Sequence, residues 1–287
     1  MTISIIIPAH NEEAIIEATL GALLEGLDTE SFEIFVVCNG CNDQTARKAT
    51  AVSSKIQVIE ITEASKTAAL NEGDRSAEGF PRVYMDADIH FSAQAVLRLV
   101  SFIHEHDVPA AAPAATMALE QSSWAVKAYY RTWFSLPYVK SGMVGCGVFA
   151  LSKRGRERFG KFPDLIADDG YVRSHFSDQE RPVVPGCEVV VTAPRVLNGL
   201  IKIKTRSRLG GKQLSERHPE LASNTLNNPR GNALLKLCLR PSLWASIPVY
   251  LYVVLLSTWR SRKQFRQRAF HTWERDDTSR ATISQSQ

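Results

Sequence analysis

The sequence predicts an α/β fold: a mostly parallel sheet with helices on both faces, plus a hydrophobic helix near the C-terminus. Three observations carry this. From the start to about residue 115, short runs rich in Ile and Val alternate with segments of helical periodicity, the mark of repeated strand–helix–strand units. Those runs are continuously apolar, as strands covered on both faces must be. Residues 241–259 hold 13 apolar residues of 19 and no charge, followed by a basic run.

The strands are expected at Ile3–Pro8, Glu33–Cys38, Ile56–Ile61, Arg82–Asp86 and Pro109–Pro113. The first of these begins at the N-terminus without a basic segment or a small-residue cleavage site, so it reads as a strand and not as a secretory leader. Between the strands lie helices near Glu12–Leu24, Asp43–Ser53, Ser65–Arg75 and Ala93–Glu105. Ser92 suits the N-cap of the last, and Asn42 or Asp43 that of the second. Beyond residue 115 the pattern is less regular. A helix is expected around Gln121–Trp133, then the Gly-rich 141–147, a strand at Val148–Leu151, a helix from Tyr171 to Phe176, strands near Val183–Thr192, and a basic Gly-containing loop over 202–217. This divides the chain into an α/β domain 1–215, with halves 1–115 and 116–215, a helical region 216–268 containing the hydrophobic helix 241–268, and a polar tail 269–287.

At 287 residues the chain can bury a sizeable core, and its 44% hydrophobic and 22% charged residues exclude a disordered or collagen-like chain. The net charge of +4 is small for this length and argues against a nucleic-acid binder. Five cysteines, Cys38, Cys41, Cys146, Cys187 and Cys238, lack framework spacing, which favours reduced thiols in a cytoplasmic setting. Cys38-Asn39-Gly40-Cys41 has no second ligand pair to close a zinc tetrahedron, and reads as small residues in a strand-to-helix turn.

In an open parallel sheet, ligands bind beyond the carboxyl ends of the strands. Four polar segments fall there: Pro8-Ala9-His10-Asn11-Glu12, Asn39-Gly40-Cys41-Asn42-Asp43-Gln44-Thr45, Lys66-Thr67-Ala68-Ala69-Leu70-Asn71-Glu72-Gly73 and Asp86-Ala87-Asp88. The last places two carboxylates, one small residue apart, where they can present oxygens to a hard divalent cation that bridges a diphosphate.

Taken in order, these segments resemble glycosyltransferase family 2, inverting nucleotide-sugar transferases of the Rossmann-like GT-A fold, whose N-terminal half typically reads P-x-x-N-E, D-D-x-S-x-D-x-T, K-x-x-A-L-N-x-G and D-x-D. The resemblance covers roughly residues 3–210. It implies a nucleotide site built from Pro8, His10, Glu12, Asn39, Lys66, Asn71 and Asp86, with Asp88 the direct ligand of Mg2+ or Mn2+ and Asp86 shared between metal and ribose. Arg206 and Arg208, with Lys212, would hold the diphosphate from a closing loop. Gly145, Cys146 and Gly147 would wall the acceptor or the donor sugar. Asp169 would be the general base, with Asp168 orienting the loop or raising the base's pKa. The chain departs from the pattern at Asn39, where the family commonly has an aspartate reading the base, and at His10, where a Tyr often stacks on it. The Q-x-x-R-W signature of processive polymerases is absent, which points to single transfer.

The expectation is therefore a metal-dependent transfer from a nucleotide sugar, with uridine as the base, to a hydroxyl acceptor of lipid-linked character. The alternatives are a nucleotidyltransferase, for which no G-x-G-x-R opening follows the first strand, and a non-catalytic nucleotide-sugar binder. The uncharged 241–259 is interrupted by Pro248 and carries Trp244, Tyr250, Tyr252 and Trp259, which suit a membrane interface better than an acyl core. With Arg260, Arg262, Lys263, Arg266 and Arg268 behind it, the segment is expected either on the cytoplasmic membrane surface or packed on the domain.

Overall fold

The computed structural model describes residues 2–28, 30–140, 142–221, 239–268 and 270, with the Lys140 side chain left aside. Cys238, residue 269 and the tail 271–287 lie outside the described residues. The chain forms strands β1 (Ile3–Ala9), β2 (Phe32–Asn39), β3 (Ile56–Ile61), β4 (Arg82–Met85), β5 (Ala110–Ala118), β6 (Val148–Leu151) and β7 (Val183–Thr192). The helices are α1 (Ile16–Leu24), α2 (Thr45–Val52), α3 (Lys66–Ser76), α4 (Ala93–His106), α5 (Trp124–Trp133), α6 (Lys153–Arg156), α7 (Asp168–Arg173), α8 (Leu197–Arg217) and α9 (Ile247–Arg266).

Two compact units emerge. The first comprises Met1–Thr116, Gly142–Asp164 and Phe176–Val191, and the second Met117–Ser141, Leu165–His175 and Thr192–Gln287. The second gathers segments from both sides of residue 215, where the sequence suggested a boundary.

The first unit is built on a seven-stranded sheet in the order β3-β2-β1-β4-β6-β5-β7. β3, β2, β1 and β4 run parallel, and β6 is antiparallel to β4 and β5. Ile5, Ile6, Ile7, Val36, Val37 and Val83 are fully buried, which is why these strands read as unbroken apolar runs. The strand order reverses between β1 and β4, so a crevice opens at their carboxyl ends.

Ser92 caps α4 by accepting from Ala95 N, as expected, and Ser65, read as the first residue of its helix, is the N-cap of α3 and accepts from Ala68 N at 3.2 Å. The N-cap of α2 is Gln44, neither Asn42 nor Asp43; Asp43 stands one residue ahead of it, where its Oδ1 accepts from Thr45 N at 3.0 Å. α1 starts at Ile16 instead of Glu12. Residues 12–15 form a turn in which the Glu12 carbonyl accepts from both Ile15 N and Ile16 N. Asp74 of α3 is buried against β4 and α6, where it pairs with Arg82 and Arg156 and accepts from Tyr84 Oη at 2.7 Å.

In the second unit the expected basic loop over 202–217 is a helix. Leu200, Thr205, Leu209, Gln213 and Leu214 recur at helical spacing and are all buried, and that apolar stripe outweighs the Gly210-Gly211 pair. Gly210 instead allows close packing, since a Cβ there would come within 2.9 Å of Ala167 N. α7 begins at Asp168 and ends at Arg173, three residues ahead of the expected Tyr171–Phe176, so both carboxylates sit in its first turn, where acidic groups complement the helix dipole. α9 packs on α5 and α8 through Tyr250, Val253, Ser257 and Ser261. Tyr250 stacks on Tyr129 at 5.4 Å between ring centroids. Among the described residues no helix is long and apolar enough to cross a membrane.

Candidate functional site

The crevice of the first unit is assembled from the ends of β1, β2 and β4 and the start of α3. β1 and β2 are tied together at their tips. His10 Nδ1 donates to the Asn39 carbonyl at 2.5 Å, while its Nε2 accepts from Asn11 Nδ2 at 3.4 Å. Asn39, 2% exposed, donates its amide to the Ala9 carbonyl at 2.9 Å, so its nitrogen is committed to the backbone. Asn11 adopts the left-handed conformation and accepts from Asn42 N at 2.9 Å, which folds the two loops onto each other. The cross-ties continue through Glu12 N to Thr45 Oγ1 at 2.7 Å, Glu13 N to Asp43 Oδ2 at 3.1 Å and Gln44 N to Glu13 Oε2 at 2.9 Å. Pro8 is buried at the end of β1, and Glu12 is buried beneath this turn.

Both cysteines of the C-x-x-C are free thiols. Burial, then the neighbouring Cys41, push the Cys38 thiol up to about 12, and a protonated, buried thiol is a poor nucleophile and metal ligand. Cys41 Sγ receives a hydrogen bond from Asn11 N at 3.4 Å, which gives it a place in the turn.

At the end of β4 the acidic pair divides. Asp86 is half-buried and its Oδ1 lies 2.6 Å from Lys66 Nζ at the start of α3, whereas Asp88 is exposed. Thr19 of α1, fully buried, donates to the Ala87 carbonyl at 3.0 Å and pins the turn between the two carboxylates. Asp86 N donates to the Gly147 carbonyl at 2.8 Å. Gly147 has φ +63°, and a Cβ on it would meet Ile89 at 2.8 Å and Asp86 Oδ2 at 3.2 Å, so only glycine leaves the Asp86 carboxylate in place. Gly145 has a positive φ too, and Cys146 is buried with Sγ donating to the Val148 carbonyl at 2.9 Å. Asn71 spends both ends of its amide on Phe162, accepting from its N at 2.8 Å and donating to its O at 2.9 Å. It braces α3 against the loop before Leu165.

Among the described residues no three His, Cys, Asp or Glu side chains gather to hold a metal. The donors at the end of β4 are two carboxylates, all oxygen, one half-buried and one exposed. That set fits a hard cation such as Mg2+ or Mn2+ whose remaining positions are filled by a diphosphate and water, and does not fit a closed structural site.

The second unit carries the other candidates. Asp168 is buried and Asp169 exposed, with Asp169 Oδ1 accepting from Gly170 N at 2.7 Å. The loop leading to them is held by α8 through Ile166 N, which donates to Gln213 Oε1 at 2.9 Å, and through Gly210 packed on Ala167. Arg206, one turn before Gly210 and two before Gln213, lies on this same face of α8. Arg208 lies on another, where its Nε donates to Ser257 Oγ of α9 at 2.8 Å. The helix therefore sets the two arginines apart and fixes both on a rigid element, in place of the mobile clamp the sequence suggested.

Sequence reasoning missed Thr19, and it missed Lys204 of α8. Lys204 Nζ lies 4.5 Å from the Trp133 ring centroid and 5.5 Å from those of Tyr129 and Tyr130. Burial, with Arg208 adding to it, pushes this lysine down to about 8. The four-residue spacing of Lys204, Arg208 and Lys212 was the available signal, hidden by reading the segment as a loop.

Residues 4–147 match the family described as Glycosyl transferase family 2. The chain is 33% identical over 106 residues to the dolichol-phosphate mannosyltransferase of Pyrococcus furiosus, a match that covers 36% of this chain and 30% of that protein. It is similar in structure to the mannosyltransferase PcManGT from Pyrobaculum calidifontis, in complex with GDP-Man and Mn2+: TM-score 0.65, 19% identity, over 92% of this chain and 86% of that one. It is also similar to glucosyl-3-phosphoglycerate synthase from Mycobacterium tuberculosis, in complex with Mn2+, UDP-glucose and phosphoglyceric acid: TM-score 0.53, 20% identity, over 75% and 79% of the two chains. At these identities the two structures establish the fold, GT-A.

Proposed function

The chain belongs to glycosyl transferase family 2, and from that premise we propose that it transfers a single sugar, with inversion, from a nucleoside diphosphate sugar to a hydroxyl acceptor carried on a lipid. The observation that carries the donor reading is the end of β4: Asp86 paired with Lys66 at 2.6 Å, Asp88 exposed beside it, and Gly147 leaving room for the carboxylate. Asp88 and Asp86 would hold a divalent cation. That cation would neutralise charge developing on the leaving diphosphate. Lys66, already at Asp86, would add a positive donor at the same end of the site.

Glycosyl transfer breaks the bond between the anomeric carbon and the diphosphate oxygen, which leaves with the electron pair. A new bond forms to the acceptor oxygen, whose proton must go to a base. Asp169, exposed on α7 with one oxygen fixed by Gly170 N, is the base in this reading, and buried Asp168 is a positioning residue for its turn. The lipid-linked acceptor draws support from the similarity to a dolichol-phosphate mannosyltransferase. For the base, uridine is proposed, and GDP-Man in the Pyrobaculum complex makes guanosine the second reading.

The test is a thermal-shift panel of nucleoside diphosphates and nucleotide sugars, with and without Mn2+ or Mg2+, on the wild type and Asp88→Ala. A ligand at about 100 times its Kd adds about 2.7 kcal/mol to the folded state. A metal-dependent shift with one nucleotide, lost in Asp88→Ala, is expected and names the base. An equal shift in both proteins removes Asp88 from the metal site.

A further inference from the structure

The face of α9 turned away from α5 and α8 is not polar. Leu251, Tyr252, Leu255 and Trp259 are exposed along it, Leu255 at 69% and Trp259 at 61%, and Trp244 just ahead of the helix is 62% exposed. Residues 248, 252, 255, 259, 262, 263 and 266 follow one another at helical spacing, so they share a single stripe. Its first part is apolar and aromatic, and its last part is Arg262, Lys263 and Arg266, all exposed.

Cations flank the other end as well. A shallow groove of about 180 Å³ lies between α5 and the turn before α9, lined by Trp124, Lys127, Arg131, Ser242 and Ser246 among others. Lys127 and Arg131 stand one turn apart on α5 and are exposed, as is Trp124 at 66%. No Asp or Glu occurs between Leu239 and Phe270. The crowding of like charge is felt inside the unit too: burial, then Arg262, Arg208 and Arg266, hold the Lys212 ammonium below its ordinary range.

We propose that this face, the apolar stripe of α9 with Lys127 and Arg131 at one end and Arg262, Lys263 and Arg266 at the other, docks flat on the surface of an anionic phospholipid bilayer. Three features select a membrane surface as occupant. The aromatic residues, Trp124, Trp244, Tyr252 and Trp259, are those that partition to the headgroup level. Cations stand at both ends of a stripe roughly 20 Å long at 1.5 Å per residue, which suits a helix lying in the headgroup plane and not one inserted end-on. The charge is of one sign, complementary to anionic headgroups, with no acidic residue to provide it with a partner on the same segment.

The docking surface lies wholly in the second unit and is independent of the transferase reading. Vesicle binding needs neither donor nor acceptor, so the two stand or fall separately. The experiment is flotation of the full chain with vesicles of phosphatidylcholine alone or mixed with phosphatidylglycerol, alongside light-scattering mass in solution. The wild type is expected to float with the mixed vesicles only. The triple variant Arg262→Glu, Lys263→Glu, Arg266→Glu should bind on the order of 100-fold more weakly, at roughly fivefold per cation removed. Leu255→Ser with Trp259→Ser should lose binding too, and because these side chains are exposed both variants should melt with the wild type. Equal flotation with neutral vesicles, or none with either, overturns the proposal. So does a stable dimer that Leu255→Ser with Trp259→Ser dissociates, which would assign the face to a second copy.

Discussion

Replacing Asp74 by Ala tests the brace that ties the C-terminal part of α3 to the start of β4 and to α6. Asp74 Oδ2 accepts from Arg156 Nε at 2.8 Å, its Oδ1 accepts from Tyr84 Oη at 2.7 Å, and Arg82 completes the cluster. The side chains of Asp74, Arg82 and Arg156 are 9%, 11% and 13% exposed, so the variant leaves two guanidiniums buried without a counter-charge. Breaking such a pair costs about 3–5 kcal/mol. Each arginine keeps some compensation, Arg82 at the Ala77 carbonyl and Arg156 at the Phe159 carbonyl and over the Phe159 ring, which favours the lower half of that range. At about 2–4 °C per kcal/mol for a chain of this size, melting should fall by roughly 6–15 °C near neutral pH. Circular dichroism melts across pH measure it. Burial alone would raise the Asp74 carboxyl, but hydrogen bonds from Arg156 and Tyr84 and the charges of both arginines outweigh it and hold the group below the usual range. With the folded pKa lowered, the contribution is present above the unfolded value, near about 4, and disappears as pH falls through the folded one. The gap between wild type and variant should therefore close in acid. A gap below about 2 °C at neutral pH, or one that persists unchanged in strong acid, would refute this account.

Gly147→Ala should preserve the fold but displace the Asp86 turn, since the new Cβ meets Ile89 and Asp86 and the positive φ costs about 1–2 kcal/mol besides; the metal-dependent nucleotide shift should vanish, and the φ cost alone should lower the melt of the apo protein by roughly 2–8 °C, with the Cβ contact adding to it. Asp169→Asn should lower turnover on the order of 100-fold or more with donor binding intact, as single-turnover assays against nucleotide affinity would show. Lys204, pushed down to about 8 by burial, should make stability rise between about pH 8 and its ordinary value of 10.5, because there the unfolded chain binds the extra proton. Urea titrations of Lys204→Met should show that rise flattened.

The alternating Ile- and Val-rich runs and the polar segments behind them specified the parallel sheet and the residues at its carboxyl ends. These signals are local: burial on both faces leaves an apolar run, and a loop that meets a ligand keeps its polar residues. The same legibility failed at α8, where lysines, arginines and two glycines concealed a helix. Its partners, Ala167, Gln213's contact with Ile166 and Ser257 of α9, are distant in sequence.

What the sequence by itself determined was the sheet, the order of its motifs, and hence the family. Tertiary structure decided which motif residues stay open to solvent and which are spent on the protein itself. Asn71 and Asn39 look alike as motif asparagines, yet both commit amide groups to backbone carbonyls, while Asp88 is left exposed. It also separated Arg206 from Arg208 and turned an uncharged segment into a helix with one buried and one exposed apolar face. The physical reason is that a hydrogen bond or a buried face belongs to two partners, and only folding brings the second one near.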